Sequence, residues 1–290
     1  MSLLQIHLFG APRLEQDGER IVVHRRKAMA LLAYVAVTDQ PHSRDALATL
    51  LWPEYDQSSA RTNLRRDLSR LKSLVGEEVL LIDRAQVSVN PAADLWLDVA
   101  EFRRRVTSTQ QHDHAPQQLC ANCLAILTEA AALYTEAFMA GFSLPDSPQF
   151  DEWQFFQSEG LRQSLAEVLQ RLIGWHVSQQ AFEQGIEYGR RWLALDPLHE
   201  PAQRQLMRLY AWAGQQAAAL RQYEECVRLL ADELGFEPEA ETVALHEAIR
   251  TRQLEMPVGE QGSGGAGEKG SRGAEEQGSE WASCWRLKSA

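Results

Sequence analysis

Cysteine is scarce in this chain: four residues in 290, at Cys120, Cys123, Cys226 and Cys284. So thin a set cannot form the disulfide framework of a small secreted domain, and it points to a reducing, cytoplasmic setting. Long apolar runs are missing as well. The best of them, residues 28–38, lies between Lys27 and Asp39 and is far shorter than the roughly 20 residues a bilayer span needs. No basic stretch precedes the apolar residues of the N-terminus, so neither a secretory leader nor a membrane partner is expected. No Ser/His/Asp, Cys/His or paired-carboxylate grouping stands in a recognisable motif. One Gly-x-Gly-x-x-Gly match, Gly262 to Gly267, has no strand before it and no apolar helix after it. An enzyme is therefore not expected, and no cofactor is required. Positive charge is also in deficit. The 29 basic and 40 acidic residues leave a net charge of −11, which on average argues against a nucleic-acid partner.

What is present is ordinary globular composition, 44% hydrophobic and 24% charged, in a length that suggests about two domains. Residues 1–106 open with strand-like alternation at Leu4-Gln5-Ile6-His7-Leu8 and Arg20-Ile21-Val22-Val23, separated by the turn formers Gly10, Pro12, Asp17 and Gly18. Three helical patterns follow. The first covers residues 26–38. The second is capped by Ser43 and ended by Trp52-Pro53. The third starts at a Ser58 or Ser59 cap and runs to Val75, closed by Gly76. A hairpin pattern comes next, Val79-Leu80-Leu81-Ile82 and Gln86-Val87-Ser88-Val89 around the turn Asp83-Arg84-Ala85. Residues 107–118 are polar and read as a linker, and residues 119–254 read as helix almost throughout. Residues 255–290 are rich in Gly, Ser and Glu and are expected to be disordered.

Within the helical region the chain matches itself at an offset of 34 residues. Leu172 meets Leu206, Ile173 meets Met207, His176 meets Tyr210, Gly185 meets Ala219, Ile186 meets Leu220 and Leu195 meets Leu229. That is the period of tetratricopeptide (TPR) helix pairs, with Gly185 and Ala219 where the two helices of a repeat approach closely. The fold class expected is mainly α with a small β component: an N-terminal winged helix-turn-helix followed by an α-helical TPR-like domain.

The segment at residues 58–75 carries the functional signal. At about 100° per residue, Leu64, Leu68, Leu71 and Val75 form one apolar stripe. Opposite it stand Thr62, Arg65, Arg66, Ser69, Arg70 and Ser73, flanked by Arg61 and Lys72. Between Arg61 and Lys72 five basic residues face one acid, Asp67. A single-striped helix with an Arg/Ser/Thr face fits a major groove, where guanidinium groups bond guanine edges and hydroxyls and cations hold phosphates. With a short helix before it and a hairpin after it, the order is that of a winged helix, with Arg84 at the turn placed to reach a flanking phosphate or the minor groove. The plainer reading is a solvated charged face. Residues 1–106 carry a net +1 and residues 107–290 a net −12, so the acidity that seemed to exclude DNA lies outside the winged helix.

The residues Leu8-Phe9-Gly10, Arg26-Lys27, Asp45-Ala46-Leu47, Leu51-Trp52-Pro53, Ala60-Arg61-Thr62-Asn63-Leu64-Arg65 and Leu68-Ser69-Arg70-Leu71 resemble the winged helix of bacterial SARP-type regulators. Leu133-Tyr134, Phe138-Met139-Ala140-Gly141-Phe142, Trp153, Leu206-Met207-Arg208-Leu209-Tyr210, Ala219-Leu220-Arg221-Gln222-Tyr223-Glu224 and the run from Leu230 to Pro238 resemble the bacterial transcriptional activation domain that follows it in those proteins. The resemblance spans about residues 3 to 250. It implies a sequence-specific regulator of transcription, an activator. Arg61, Thr62, Arg65, Arg66 and Ser69 would lie at base edges of double-stranded DNA, and Arg70, Lys72 and Arg84 on phosphates. The helical domain would serve a homodimer on DNA or contact RNA polymerase. The alternative is a TPR-type interaction scaffold without specific DNA binding.

One further motif is His112, His114, Cys120 and Cys123, spaced His-x-His-x5-Cys-x2-Cys. Four such ligands suit a structural zinc ion. The same residues also read as linker histidines beside buried thiols, or as a dithiol at a helix N-terminus whose acidity is shifted.

Overall fold

The computed structural model describes residues 3–111 and 119–257. His112, His114 and nearly all of the Gly-rich tail lie outside the described residues. The chain is mainly helical with a small sheet component, as the sequence patterns indicate.

Two small sheets bracket the first helices. In one, β1 (Leu4–His7) pairs antiparallel with β2 (Arg13–Gln16) and parallel with β7 (Leu95–Leu97), and β3 (Glu19–Ile21) lies outside β2. The alternation at the N-terminus decides the faces: Leu4, Ile6 and Leu14 are fully buried while Gln5 and His7 are less so. In the other sheet, β4 (His42–Ser43) pairs with β6 (Gln86–Val89), which pairs with β5 (Leu80–Ile82). Strands β2 and β7 were not visible as patterns. Each is three or four residues long, and β7 finds its partner some ninety positions upstream.

Helix α1 (Arg26–Thr38) is buried on most sides, and α2 (Arg44–Leu51) and α3 (Gln57–Val75) pack against it and each other. After β7 comes α4 (Asp98–Gln110), which runs through residue 106 into the stretch expected to be linker. Its apolar side, Val99 and Phe102, is fully buried, so packing holds helical a segment whose polar end reads as a loop. Six more helices follow: α5 (Ala121–Leu133), α6 (Pro148–Ser178), α7 (Phe182–Leu195), α8 (Glu200–Trp212), α9 (Gln216–Leu234) and α10 (Ala240–Arg250).

From α6 to α9 the helices stack as hairpins at the 34-residue offset, and Leu172, Ile173, Leu206, Met207, Gly185 and Ala219 are all buried. The tightest approach is not inside a hairpin, however. A methyl group on Gly185 would lie 2.9 Å from Leu209 Cδ2 of α8 but 3.7 Å from His176 Cβ of its own partner α6. Gly185 is small because of the next hairpin.

The two regions share one core, and the described residues pack as one compact unit. Buried Asp98 accepts hydrogen bonds at Oδ2 from the N–H groups of Leu8 (2.7 Å) and Phe9 (2.8 Å), and at Oδ1 from that of Val99 (2.7 Å). Just beyond β1, the Met139 N–H donates to Leu8 O (2.7 Å), the Gly10 N–H donates to Ala137 O (3.1 Å), and Phe9 forms a bridge with Phe138. The Ser147 hydroxyl donates to Leu51 O at 2.9 Å, satisfying a carbonyl at the end of α2. Aromatic rings fill the seam: Phe9, Phe102 and Tyr134 in one group, Tyr34, Phe138, Phe150 and Trp153 in another.

Candidate nucleic-acid interface

Helices α2 and α3 form a helix-turn-helix whose two ends are fixed by side-chain caps. Ser43 Oγ accepts from the Ala46 N–H at 3.1 Å, as the sequence indicates. The cap of α3 is Asp56, not Ser58 or Ser59. Its Oδ1 accepts from the N–H groups of both serines at 3.0 and 3.1 Å, and a carboxylate at a helix N-terminus gains from the helix dipole as well. At nineteen residues, α3 is about 28 Å long.

The stripe Leu64, Leu68, Leu71 and Val75 is buried, joined by Ala60 and by Asp67. By sequence, Asp67 enters only in the charge of the stretch and is assigned to neither face. Yet it falls three residues after Leu64 and four before Leu71, and that spacing was the available signal. Its carboxylate is fully buried with Arg25 Nε 3.1 Å from Oδ1. Burial pushes the Asp67 carboxyl above its ordinary range, against the pull of Arg25, Arg70, Arg66 and Lys27 in that order. The one acid of the stretch is thus withdrawn from the surface, and the outward face of α3 carries only positive charge.

Arg61, Thr62, Arg65, Arg66, Ser69, Arg70 and Ser73 are exposed along that face, and Lys72 is half-buried with Nζ 3.7 Å from Glu77. No hydrogen bond or ion pair among the described residues engages Arg65, Arg66 or Arg70. Arg61 differs. Its Nε and Nη2 donate to Asp45 Oδ1 and Oδ2 at 2.6 and 2.7 Å, a two-pronged pair joining α3 to α2 that holds Asp45 below the usual carboxylate range. Thr62 and Ser73 donate to backbone oxygens one turn back, Ser58 O and Ser69 O.

The hairpin turn is rigid at its base and open at its tip. Asp83 Oδ1 accepts from the N–H groups of Ala85 and Gln86, both at 2.6 Å, and these contacts keep its carboxyl below the ordinary range. Arg44, the first residue of α2, donates through its N–H to Ala85 O (2.8 Å) and through Nη1 to Asp83 O (3.0 Å). The wing is therefore anchored to the helix-turn-helix, and exposed Arg84 at its tip has no hydrogen bond or ion pair among the described residues.

Of the suggested metal ligands, His112 and His114 lie outside the described residues, and no group of three or more metal-ligating side chains is found among those described. Cys120 caps α5: its Sγ accepts from the Cys123 N–H at 3.4 Å. Cys226 is buried within α9, and burial pushes its thiol up to about 11. Among the described residues, no helix is long and apolar enough to cross a membrane.

Comparison with known proteins places this architecture. Residues 97–250 match the family model described as bacterial transcriptional activator domain. The regulatory protein AfsR of Streptomyces coelicolor is 25% identical over 240 residues, covering 81% of this chain and 23% of that protein. The transcriptional regulatory protein EmbR of Mycobacterium tuberculosis is 25% identical over 262 residues, covering 86% of this chain and 64% of that protein. The chain thus spans less than two thirds of the length of these relatives. A solved structure of Mycobacterium tuberculosis EmbR, in complex with a low affinity phosphopeptide, superimposes with a TM-score of 0.67 at 22% identity, over 89% of this chain and 67% of that one, and shares its fold. The SARP-type resemblance seen in the sequence is borne out. With more than half of its residues under one family model, the protein belongs to the bacterial transcriptional activator domain family.

Proposed function

We propose that the protein is a sequence-specific DNA-binding activator of transcription that reads the major groove with α3. The observation that carries this reading is the outward row Arg65, Arg66 and Arg70, none of them in a hydrogen bond or ion pair among the described residues, beside Arg84 on an anchored wing. Cations held along one helix without such bonds are available to phosphates and base edges with little to break. Arg65, Arg66, Thr62 and Ser69 face base edges in this reading, and Arg70, Lys72 and Arg84 face phosphates. Arg61 fixes α2 against α3 through Asp45 and stands at the groove edge. The helical domain supplies dimer or polymerase contacts in this reading, and the match of residues 97–250 to a transcriptional activator domain supports a part in activation.

The test is selection of bound duplexes from random DNA, followed by titration across salt. Affinity should fall steeply as salt rises, with a log–log slope near −0.9 for each phosphate the protein neutralises. Arg65→Ala should cost about 1–3 kcal/mol on the selected site and far less on random DNA. Arg70→Ala and Arg84→Ala should weaken both equally and flatten the salt slope by about one unit each. Absence of salt-dependent DNA binding would leave a protein-interaction scaffold in its place.

A further inference from the structure

The pair Cys120 and Cys123 is not used by the DNA-binding reading, and its geometry is that of a built site. Cys120 occupies the N-cap of α5 with φ −79° and ψ 164°, and its sulfur accepts the Cys123 N–H. Residues at N-cap and N3 of one helix face each other across its first turn. Burial and the neighbouring Cys120 thiol push the Cys123 thiol up, against the weaker pull of the Arg171 guanidinium on α6. That guanidinium is fixed in turn, with Nη1 donating to Thr109 Oγ1 of α4 at 2.8 Å. The sulfurs are unequal in access: Cys120 is partly exposed and Cys123 is fully buried. A partly exposed sulfur facing a buried second one across the first turn of a helix is an arrangement that thiol–disulfide exchange can use, the outer sulfur meeting the external disulfide and the inner one closing the bond.

We propose that Cys120 and Cys123 form a reversible dithiol–disulfide site that reacts with low-molecular-weight disulfides, Cys120 attacking and Cys123 resolving. In the first step the Cys120 thiolate attacks one sulfur of the external disulfide, a mixed disulfide forms on Cys120, and one thiolate leaves and takes a proton from water. In the second step Cys123 gives its proton to water and its sulfur attacks Cys120 Sγ. The Cys120–Cys123 bond forms and the second external thiolate departs. Two protein thiols are oxidised and one disulfide is reduced to two thiols.

The full chain carrying Cys284→Ser, reduced and then exposed to oxidised glutathione, tests this. No Lys or Arg lies between Arg105 and Arg162, so one tryptic peptide holds both cysteines. That peptide should lose two hydrogen atoms in mass, recover them with dithiothreitol, and leave Cys226 reduced. Cys123→Ser should stop at the first step and carry one glutathione on Cys120. Cys120→Ser should carry none, because Cys123 is buried. Equal labelling of both single variants, or an unchanged peptide in the parent at glutathione ratios that oxidise exposed dithiols, overturns the assignment. So does stoichiometric zinc in protein purified without chelator, together with resistance to oxidation until the metal is removed. Far-ultraviolet circular dichroism of each variant confirms that it is folded.

Discussion

Asp98 shows how much one side chain does at the joint between sheet and helices. Its carboxylate satisfies three backbone N–H groups, two of them some ninety positions upstream. Asp98→Ala leaves Leu8 and Phe9 with buried, unpaired donors, each worth about 1–3 kcal/mol, and should lower unfolding stability by about 3–5 kcal/mol in urea titration. Glu101, one turn along α4, gives a pH signature. Hydrogen bonds from Arg104 and Arg105 hold its carboxyl down at about 2, from a usual 4.5. A depressed folded value stabilises the protein above the unfolded value, and that gain is lost as pH falls from about 4.5 towards 2. Arg104 is well exposed, so solvent screens the pair and about 1–2 kcal/mol is expected. Glu101→Gln should cost that amount at pH 7 and nothing near pH 2, as read from denaturation midpoints at several pH values.

Among the elements, helices were more legible than strands, for a physical reason. The apolar period of α3 is local, so Leu64, Leu68, Leu71 and Val75 declare the buried face without reference to anything else. Strand β7 has no such signature, because its three residues become a strand only by pairing with β1. The cap of α3 was misplaced because Asp56, Ser58 and Ser59 all qualify by type, and only the turn geometry selects Asp56. The arginine face was legible as a pattern, but the Arg61–Asp45 pair was not, since it joins two helices. The helical hairpins yield their own test. Gly185→Ala drives a methyl group to 2.9 Å from buried Leu209 and should destabilise by about 1–2 kcal/mol, overcrowding outweighing the gain in helix propensity. Gly174→Ala on α6 meets nothing within 4 Å and should instead stabilise by about 0.5–1 kcal/mol. Calorimetry of the two variants gives shifts of opposite sign.

At the scale of the molecule, charge and packing tell different stories. The charge partition separates a near-neutral first region from an acidic second one. The packing joins them, because Phe9, Phe102 and Tyr134 belong to one aromatic group and Leu8 and Met139 share a backbone bond. Sequence patterning could not anticipate this, since apolar stripes show which face is buried but not against what. Unfolding should therefore be a single transition monitored by any probe. Asp98→Ala and Gly185→Ala, far apart along the chain, should move the same calorimetric peak. Two resolved peaks would contradict a shared core.

The hydroxyl of Ser147 on the carbonyl of Leu51 has a consequence for domain exchange as well as for stability. A winged helix is commonly pictured as a cassette that gene fusion can move from one effector to another. Here the end of α2 and the two residues after β1 are completed by chain that lies far downstream. A chimera that exchanges the first hundred residues for a foreign winged helix leaves those carbonyl and amide groups stranded unless the newcomer presents the same edge. Such a chimera should be less stable than the parent, because each half completes the other's backbone.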